Sequence, residues 1–136
     1  MAFLQAILKH GRSIEMRNKS TSQATVKNEV LAWSSGNVVP ATSSTVVAEL
    51  AGVSNQTITA GEALAQVPAF DLFEQDVYLA DSTNNSNVAH NGQRMVLTDS
   101  THVNNTGTTS ATGIVEQVDV FGAATDKKIL VSFVTN

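Results

Sequence analysis

The chain has no cysteine among its 136 residues, which excludes a disulfide scaffold, zinc–thiolate sites and thiol catalysis. Aromatic residues make up 5% and charged residues 15%, both low for a globular protein, and there are only two prolines. No apolar run is long enough to span a bilayer. The apolar patch Ala2 to Leu8 has no basic region before it and no small-residue cleavage site after it, so no secretory signal is expected. Neither standard Gly-rich phosphate loop occurs.

Serine, threonine and asparagine fill these gaps, with 13, 15 and 11 residues, and the 17 valines favour strands. An apolar share of 42% sets the chain apart from disordered sequences, and its length fits one domain with a buried core. Net charge is −4 but unevenly spread. Residues 1–30 hold five basic and two acidic residues, a net of +3, and the remainder carries −7. A mildly basic segment on an acidic body implies that the two meet different surroundings. Without a dense Arg/Lys cluster, direct nucleic-acid binding is not expected.

Residues 1–29 read as an extended N-terminal arm and 30–136 as a β domain. Within the arm, Phe3, Leu4, Ile7 and Leu8 recur at helical spacing, which predicts a short helix over 2–9 with Lys9 and His10 in its last turn. Eight residues do not sustain a helix in water. The segment therefore either covers the body, frays, or docks on another subunit. Residues 12–29 are polar, with Ile14, Met16 and Val26 as the few apolar anchors.

The body shows short strand patterns punctuated by Gly, Pro and Asp at 8–12-residue spacing, as in a small antiparallel β-barrel or sandwich. Candidate strands are Thr45–Leu50, Val53–Thr59, Ala63–Val67 (ended by Pro68), Val77–Leu79 and Arg94–Thr98. Thr112 to Val134 reads as two strands joined by a turn at Gly122 to Asp126, with the run at 129–131 expected to be buried on both faces. Gly52 and Gly61 are spaced as Gly113 and Gly122 are, and Gln56 and Gln117 hold matching places between them. A duplicated hairpin with shared turn geometry would account for this.

Chemistry-bearing residues are few. Asp99-Ser100-Thr101-His102, with His90, Asp81 and Asp76, is the nearest approach to a metal or catalytic cluster, but nothing in the spacing forces convergence. Turn-forming Asp and solvated His are the expectation there. Asp71, Glu74 and Asp76 could pair for glycoside hydrolysis, yet a sugar cleft is normally lined with aromatics and the chain has one Trp and one Tyr. The sequons at Asn18, Asn55, Asn84 and Asn104 follow from composition. Arg94, Lys127 and Lys128 read as local ion-pair partners more than as a basic patch. No enzymatic activity, cofactor or metal is expected.

From Val38 onward the order of elements resembles the small phage capsid decoration (cement) proteins and the related head-fibre virion proteins. The resembling stretches are Ala51-Gly52-Val53 followed by Thr57-Ile58-Thr59-Ala60-Gly61-Glu62, then Gln75-Asp76-Val77-Tyr78-Leu79 against the family's Gly-Asp-x-Val-Tyr element. Thr112-Gly113-Ile114-Val115 and Asp126 with Lys128-Ile129-Leu130-Val131-Ser132-Phe133 complete the match, about two-thirds of the chain. Glu74-Gln75 replaces the usual Gly before Asp76, and the N-terminal segment is longer and more basic than the family's.

The resemblance implies a non-enzymatic virion protein, made in the host cytoplasm, that binds the major capsid protein on the outside of an icosahedral shell, as a homotrimer, without membrane contact. On that reading Phe3, Leu4, Ile7, Leu8, Arg12, Arg17 and Lys19 are expected at the capsid contact, and Trp33, Val131 and Phe133 at self-association. The alternative is a head- or tail-fibre module that binds host-surface carbohydrate or a receptor through the Asn/Thr-rich loops at 81–92 and 99–110.

Overall fold

A computed structural model describes residues 3–7, 13–72, 76–106 and 112–135, with only the backbone at Ile7. The described chain is all-β. Its strands are β1 (Phe3–Ile7), β2 (Ile14–Asn18), β3 (Val30–Ser34), β4 (Asn37–Pro40), β5 (Leu50–Ser54), β6 (Gln66–Phe70), β7 (Val77–Ser82), β8 (Arg94–Met95), β9 (Leu97–Asp99), β10 (His102–Val103), β11 (Val115–Phe121) and β12 (Lys128–Phe133). Single 3-10 turns occupy Val47–Glu49, Ala60–Glu62, Val88–His90 and Ala124–Asp126.

The hairpin expected within 112–134 forms as β11 and β12, antiparallel from Val115↔Phe133 to Phe121↔Lys128. β12 alternates: Ile129, Val131 and Phe133 are buried, while Lys128, Leu130 and Ser132 are half-buried. Leu130 thus departs from the expectation of a strand buried on both faces, because only one face meets the core. β12 pairs onward with β7, and β7 with both β1 and β10. β8 and β9 behave as one strand interrupted at Val96, since β8 pairs with β11 and β9 with β10. The sheet thereby returns on itself as a nearly closed barrel, which removes exposed edges. A second sheet runs β2-β6-β5-β3-β4 and curls until its outer strands β2 and β4 approach each other.

Period-2 alternation divides the second sheet's residues between two cores. Val30, Ala32, Val53 and Phe70 join Phe3, Tyr78, Met95, Ile114, Ile129, Val131 and Phe133 in the main core. Leu31, Val38, Ala51, Val67 and Ala69, with Ile58, form a smaller cluster within the curl.

Several expectations change. The helix over 2–9 is not formed: Phe3–Ile7 is a strand on β7, with Phe3↔Ala80 and Leu4↔Leu79 in register. A one-turn helix costs its nucleus, whereas the edge of β7 offers ladder bonds at once. Within the N-terminal segment β1 pairs with β7 in the first sheet, β2 pairs with β6 in the second, and Thr25 forms a single bridge to Ile58. Most of Thr45–Leu50 is not strand; Val47–Glu49 is a 3-10 turn, because the Glu49 carboxylate accepts the Val46 N–H at 3.0 Å and closes it. Strand Ala63–Val67 is shifted to Gln66–Phe70 and runs through Pro68. That proline sits where the β5 ladder ends, its carbonyl accepting from the Asn55 amide at 2.9 Å, so the missing donor costs little.

The echo between the two hairpins is real only at the turn. Glu62 accepts from the Thr59 N–H and Asp126 from the Ala123 N–H, each at 3.0 Å. The residues that follow, Ala63 and Lys127, take φ of 51° and 54°. Gln56 is exposed on a loop while Gln117 is buried in β11, so they are not equivalent. Gly52 and Gly113 share close approach instead: a Cβ would lie 2.6 Å from the Phe70 carbonyl oxygen and 2.7 Å from the Met95 nitrogen, respectively.

Glu29 ties the sheets together. It is 3% exposed, accepts the Val26 N–H at 2.7 Å and the Ser100 hydroxyl at 2.8 Å, while Val30 N–H reaches the Ser100 carbonyl. Burial pushes its carboxyl above the ordinary 4.5, and the Val26 and Ser100 bonds only partly oppose this. The folded state therefore binds the proton more tightly than the unfolded chain. This contribution to stability is complete below pH 4.5, falls as pH rises towards the raised folded value, and is flat above it. Glu29→Gln should remove that fall while keeping both contacts, through an amide oxygen for Val26 and an amide N–H for Ser100. Urea unfolding at pH 4 and pH 7 should show the variant gaining on the parent at the higher pH.

Candidate functional site

The β2 register places Glu15 opposite Ala69 and Arg17 opposite Val67, on the inner face of the curled sheet. Leu31 and Trp33 point to the same face from β3, because they alternate with Val30 and Ala32 in the main core. Arg17 therefore lies across the mouth of the curl. Its Nε donates to the Ala51 carbonyl at 3.1 Å, one terminal nitrogen to Glu15 at 2.6 Å and the other to Asp71, and its guanidinium carbon sits 5.8 Å from the Trp33 ring centroid. Asp71 also accepts the Ser13 hydroxyl at 2.9 Å.

Here Trp33, Val47, Leu50, Leu72 and Val134 line a cleft of about 330 Å³ floored by Ala51 and edged by Arg17, Asp71 and Thr135. A second groove continues from it past Val46, Arg94 and Thr112. Arg17 is spent on Asp71, Glu15 and Ala51, so the cleft presents mixed polar and apolar surface with its charges already paired. Trp33 (38% exposed) forms its wall, Val46 (40%) lies in the adjoining groove, and Ile14 (44%) and Met16 (54%) project from the other face of the outer strand β2. Such a surface can pack against a partner.

The residues expected at a capsid contact scatter. Arg17 is in the cleft. Leu4 is half-buried on the outside of the barrel beside Leu79. Phe3 is 1% exposed in the main core, since strand pairing turns it inward. Lys19 is 3% exposed, and its ammonium donates to the carbonyls of Ser20, Gln23 and Leu64, so it fastens a loop and offers no charge to a partner. The Ile7 side chain, Leu8 and Arg12 lie outside the described residues. Of the self-association set only Trp33 offers surface. Val131 and Phe133, at 0% and 3%, are committed to the chain's own core.

The polar cluster resolves into turns and pairs. Asp99 Oδ1 accepts the Thr101 N–H at 2.8 Å and the Thr101 hydroxyl at 2.9 Å and faces His102 Nδ1 at 3.0 Å. Burial alone would raise this carboxyl, but the Thr101 N–H, His102 and the Thr101 hydroxyl together hold it below the usual range. Strand register sets Phe121, Lys128, Asp81, His102 and Asp99 in one row across the outer barrel face. Within it Lys128 pairs with Asp81 and His102 with Asp99.

Asp71 is engaged by Arg17 and Ser13, Asp76 is buried at the start of β7, and Glu74 lies outside the described residues. Arg94 and Lys127 stand at opposite ends of the β11–β12 hairpin, roughly 20 Å apart at 3.4 Å per residue, so they form no patch with Lys128. Among the described residues no group of three or more His, Asp or Glu side chains is placed to hold a metal, and no helix is long and apolar enough to cross a membrane.

Two buried amides had no signal in the sequence. Asn105, 2% exposed, accepts the Asn84 N–H and donates to the Asn84 and Asn85 carbonyls at 3.0 and 3.1 Å. Gln117, 1% exposed, donates to the Asn87 carbonyl at 2.9 Å and to Asn91 Oδ1 at 2.8 Å. Together they pin the Asn-rich loop 83–92. No protein-family model matches the chain, and a search of curated proteins finds none similar to it.

Proposed function

We propose that the chain is a structural virion protein that decorates the outside of an icosahedral phage capsid, holding neighbouring major capsid subunits together as a homotrimer. The observation that carries this reading is the cleft at Trp33, whose charges are already paired, with exposed Val46 in the groove that continues it and exposed Ile14 and Met16 on the outer face of β2. The resemblance of the β body to cement proteins supports it, as does the engagement of Asp71, Asp81, Asp99 and His102 in turns and ion pairs. The contact we propose is this cleft together with the outer face of β2, which keeps Arg17 of the N-terminal segment, adds Ile14 and Met16, and drops the buried Phe3 and Lys19. Many copies of a modest apolar contact add up across a shell.

The test is to find the chain in purified particles by mass spectrometry, then rebind wild-type protein to particles stripped of it. The double variant Met16→Ser, Trp33→Ala should bind at least about tenfold more weakly, as truncation of exposed apolar anchors does at interfaces, while melting as the wild type does. Undiminished rebinding would overturn the cleft as the contact, and absence from particles would overturn the function.

The pinned loop 83–92 favours the second reading, a fibre module that displays this loop to a host glycan or receptor. It would be preferred if loop substitutions abolished host adsorption while particle binding stayed intact.

A further inference from the structure

Asn91-Gly92 is the one Asn-Gly step in the chain, and glycine offers no Cβ to hinder attack by its own backbone nitrogen on the preceding side chain. In that reaction a base removes the Gly92 amide proton and the nitrogen bonds to Asn91 Cγ. Ammonia leaves, and the cyclic imide then takes up one water at either carbonyl, giving aspartate or isoaspartate. The folded chain occupies each reacting group. Gly92 N–H donates to the Gln117 carbonyl at 2.8 Å, and the Gln117 side-chain amide donates to Asn91 Oδ1 at 2.8 Å. Asn91 Nδ2 faces Asp119 Oδ1 at 3.5 Å. The Asn91 backbone is held at φ −56°, ψ 133°, and Gly92 takes φ +82°.

We propose that Asn91 is a latent deamidation site kept closed by Gln117, whose backbone and side chain both serve as the latch. Gln117 is itself held by burial and by its second bond to the Asn87 carbonyl, so the site opens only when the loop leaves β11. Conversion would put a carboxylate beside Asp119 and set it against its former partner. Isoaspartate would also lengthen the backbone where Gly92 meets Gln117. Reaction at this one step would therefore loosen the Asn91 end of the loop irreversibly, with Asn105 still holding Asn84 and Asn85 at the other end. The inference does not depend on the proposed capsid role.

The full-length chain should be incubated at mildly alkaline pH and 37 °C, with amide-to-acid conversion and isoaspartate at Asn91 followed by peptide mapping. Folded protein should react at least about tenfold more slowly than the same chain in urea, because closed local structure suppresses the reactive conformer. Gln117→Met, which keeps the backbone carbonyl and removes the side-chain bond, should move the rate towards that of the unfolded chain while the protein still melts cooperatively. Should that variant not fold, wild-type protein in sub-denaturing urea decides. Its Asn91 conversion should rise in step with hydrogen exchange at the Gly92 amide. Equal rates in folded and unfolded wild type, a folded Gln117→Met no faster than wild type, or conversion that ignores Gly92 exchange would each overturn the proposal.

Discussion

Deleting residues 2–22 should leave a chain that shows no cooperative melting transition and no near-ultraviolet circular dichroism from fixed aromatic packing. The deletion removes β1, whose Phe3 is 1% exposed in the main core, and β2, which covers the edge of β6. Losing a buried Phe side chain alone costs about 3–5 kcal/mol. It also removes Lys19, leaving the Gln23 and Leu64 carbonyls without their cationic donor, and Gln5, whose amide donates to the Tyr78 hydroxyl at 3.2 Å. That phenol is buried enough to have its pKa pushed up to about 12, so loss of its partner is costly. Each buried group left unpaired adds about 1–3 kcal/mol. Against a total stability of roughly 5–15 kcal/mol for a domain, these losses exhaust the margin. A truncated chain that melted cooperatively near the wild-type temperature would show that β1 and β2 are dispensable cover, and would return the N-terminal segment to the role of a detachable arm.

The reason that segment misleads as a sequence is physical. Phe3, Leu4, Ile7 and Leu8 satisfy helical spacing, but a five-residue strand needs only that Phe3 face inward, and the choice is made by β7 some seventy residues away. Lys19 is similar. In isolation a lysine in a polar stretch reads as solvated, and only the fold brings the carbonyls of Ser20, Gln23 and Leu64 around one ammonium. The hairpin within 112–134 was legible from its strand-forming runs and the turn between them, but the one-sided burial of Ile129, Val131 and Phe133 was not, because Leu130 makes the run at 129–131 continuously apolar. The interruption at Val96 that closes the barrel was not, because closure depends on two different neighbours, β11 and β10, along one run of residues. Turn chemistry was half legible. Glycines drew attention, yet the shared geometry lies at Glu62 and Asp126, where an acid reaches back three residues to a backbone N–H.

The candidate site was less legible than the fold. Trp33 stood out as the only tryptophan, and Arg17 as one of several cations, but nothing in their spacing announced that β2 and β3 would bring them together over Ala51. Asp71 stood out for the wrong chemistry. It lies at the end of β6, where it completes the pairing of Arg17 and accepts from Ser13, and so helps set the cleft's edge. Buried amides such as Asn105 and Gln117 are invisible in a chain with eleven asparagines, since composition gives no hint of which will be enclosed.

Phe133→Ala should lower stability by about 3–5 kcal/mol, the cost of emptying a fully packed phenylalanine site. The ring is 3% exposed, stands edge-on to Tyr78 with centroids 5.2 Å apart and an interplanar angle of 84°, and lies 5.6 Å from Phe3. Edge-to-face contacts of this kind contribute about 0.5–1.5 kcal/mol beyond burial, so truncation loses geometry as well as area. β12 is also poorly placed to collapse into the cavity, because Val115 opposite Phe133 and Tyr78 opposite Val131 are fixed by ladders on both sides. Phe133→Leu keeps much of the volume and should lose under about 1.5 kcal/mol. Urea unfolding of both variants, with oligomeric state followed by light scattering, separates two origins for the loss. A core role lowers the intrinsic stability of the folded chain whatever the assembly state. If Phe133→Ala instead left the unfolding midpoint unchanged and only dissociated an oligomer, the ring would belong to an interface between copies, and the packing of Phe3, Tyr78 and Phe133 around one another would not be what holds the barrel shut.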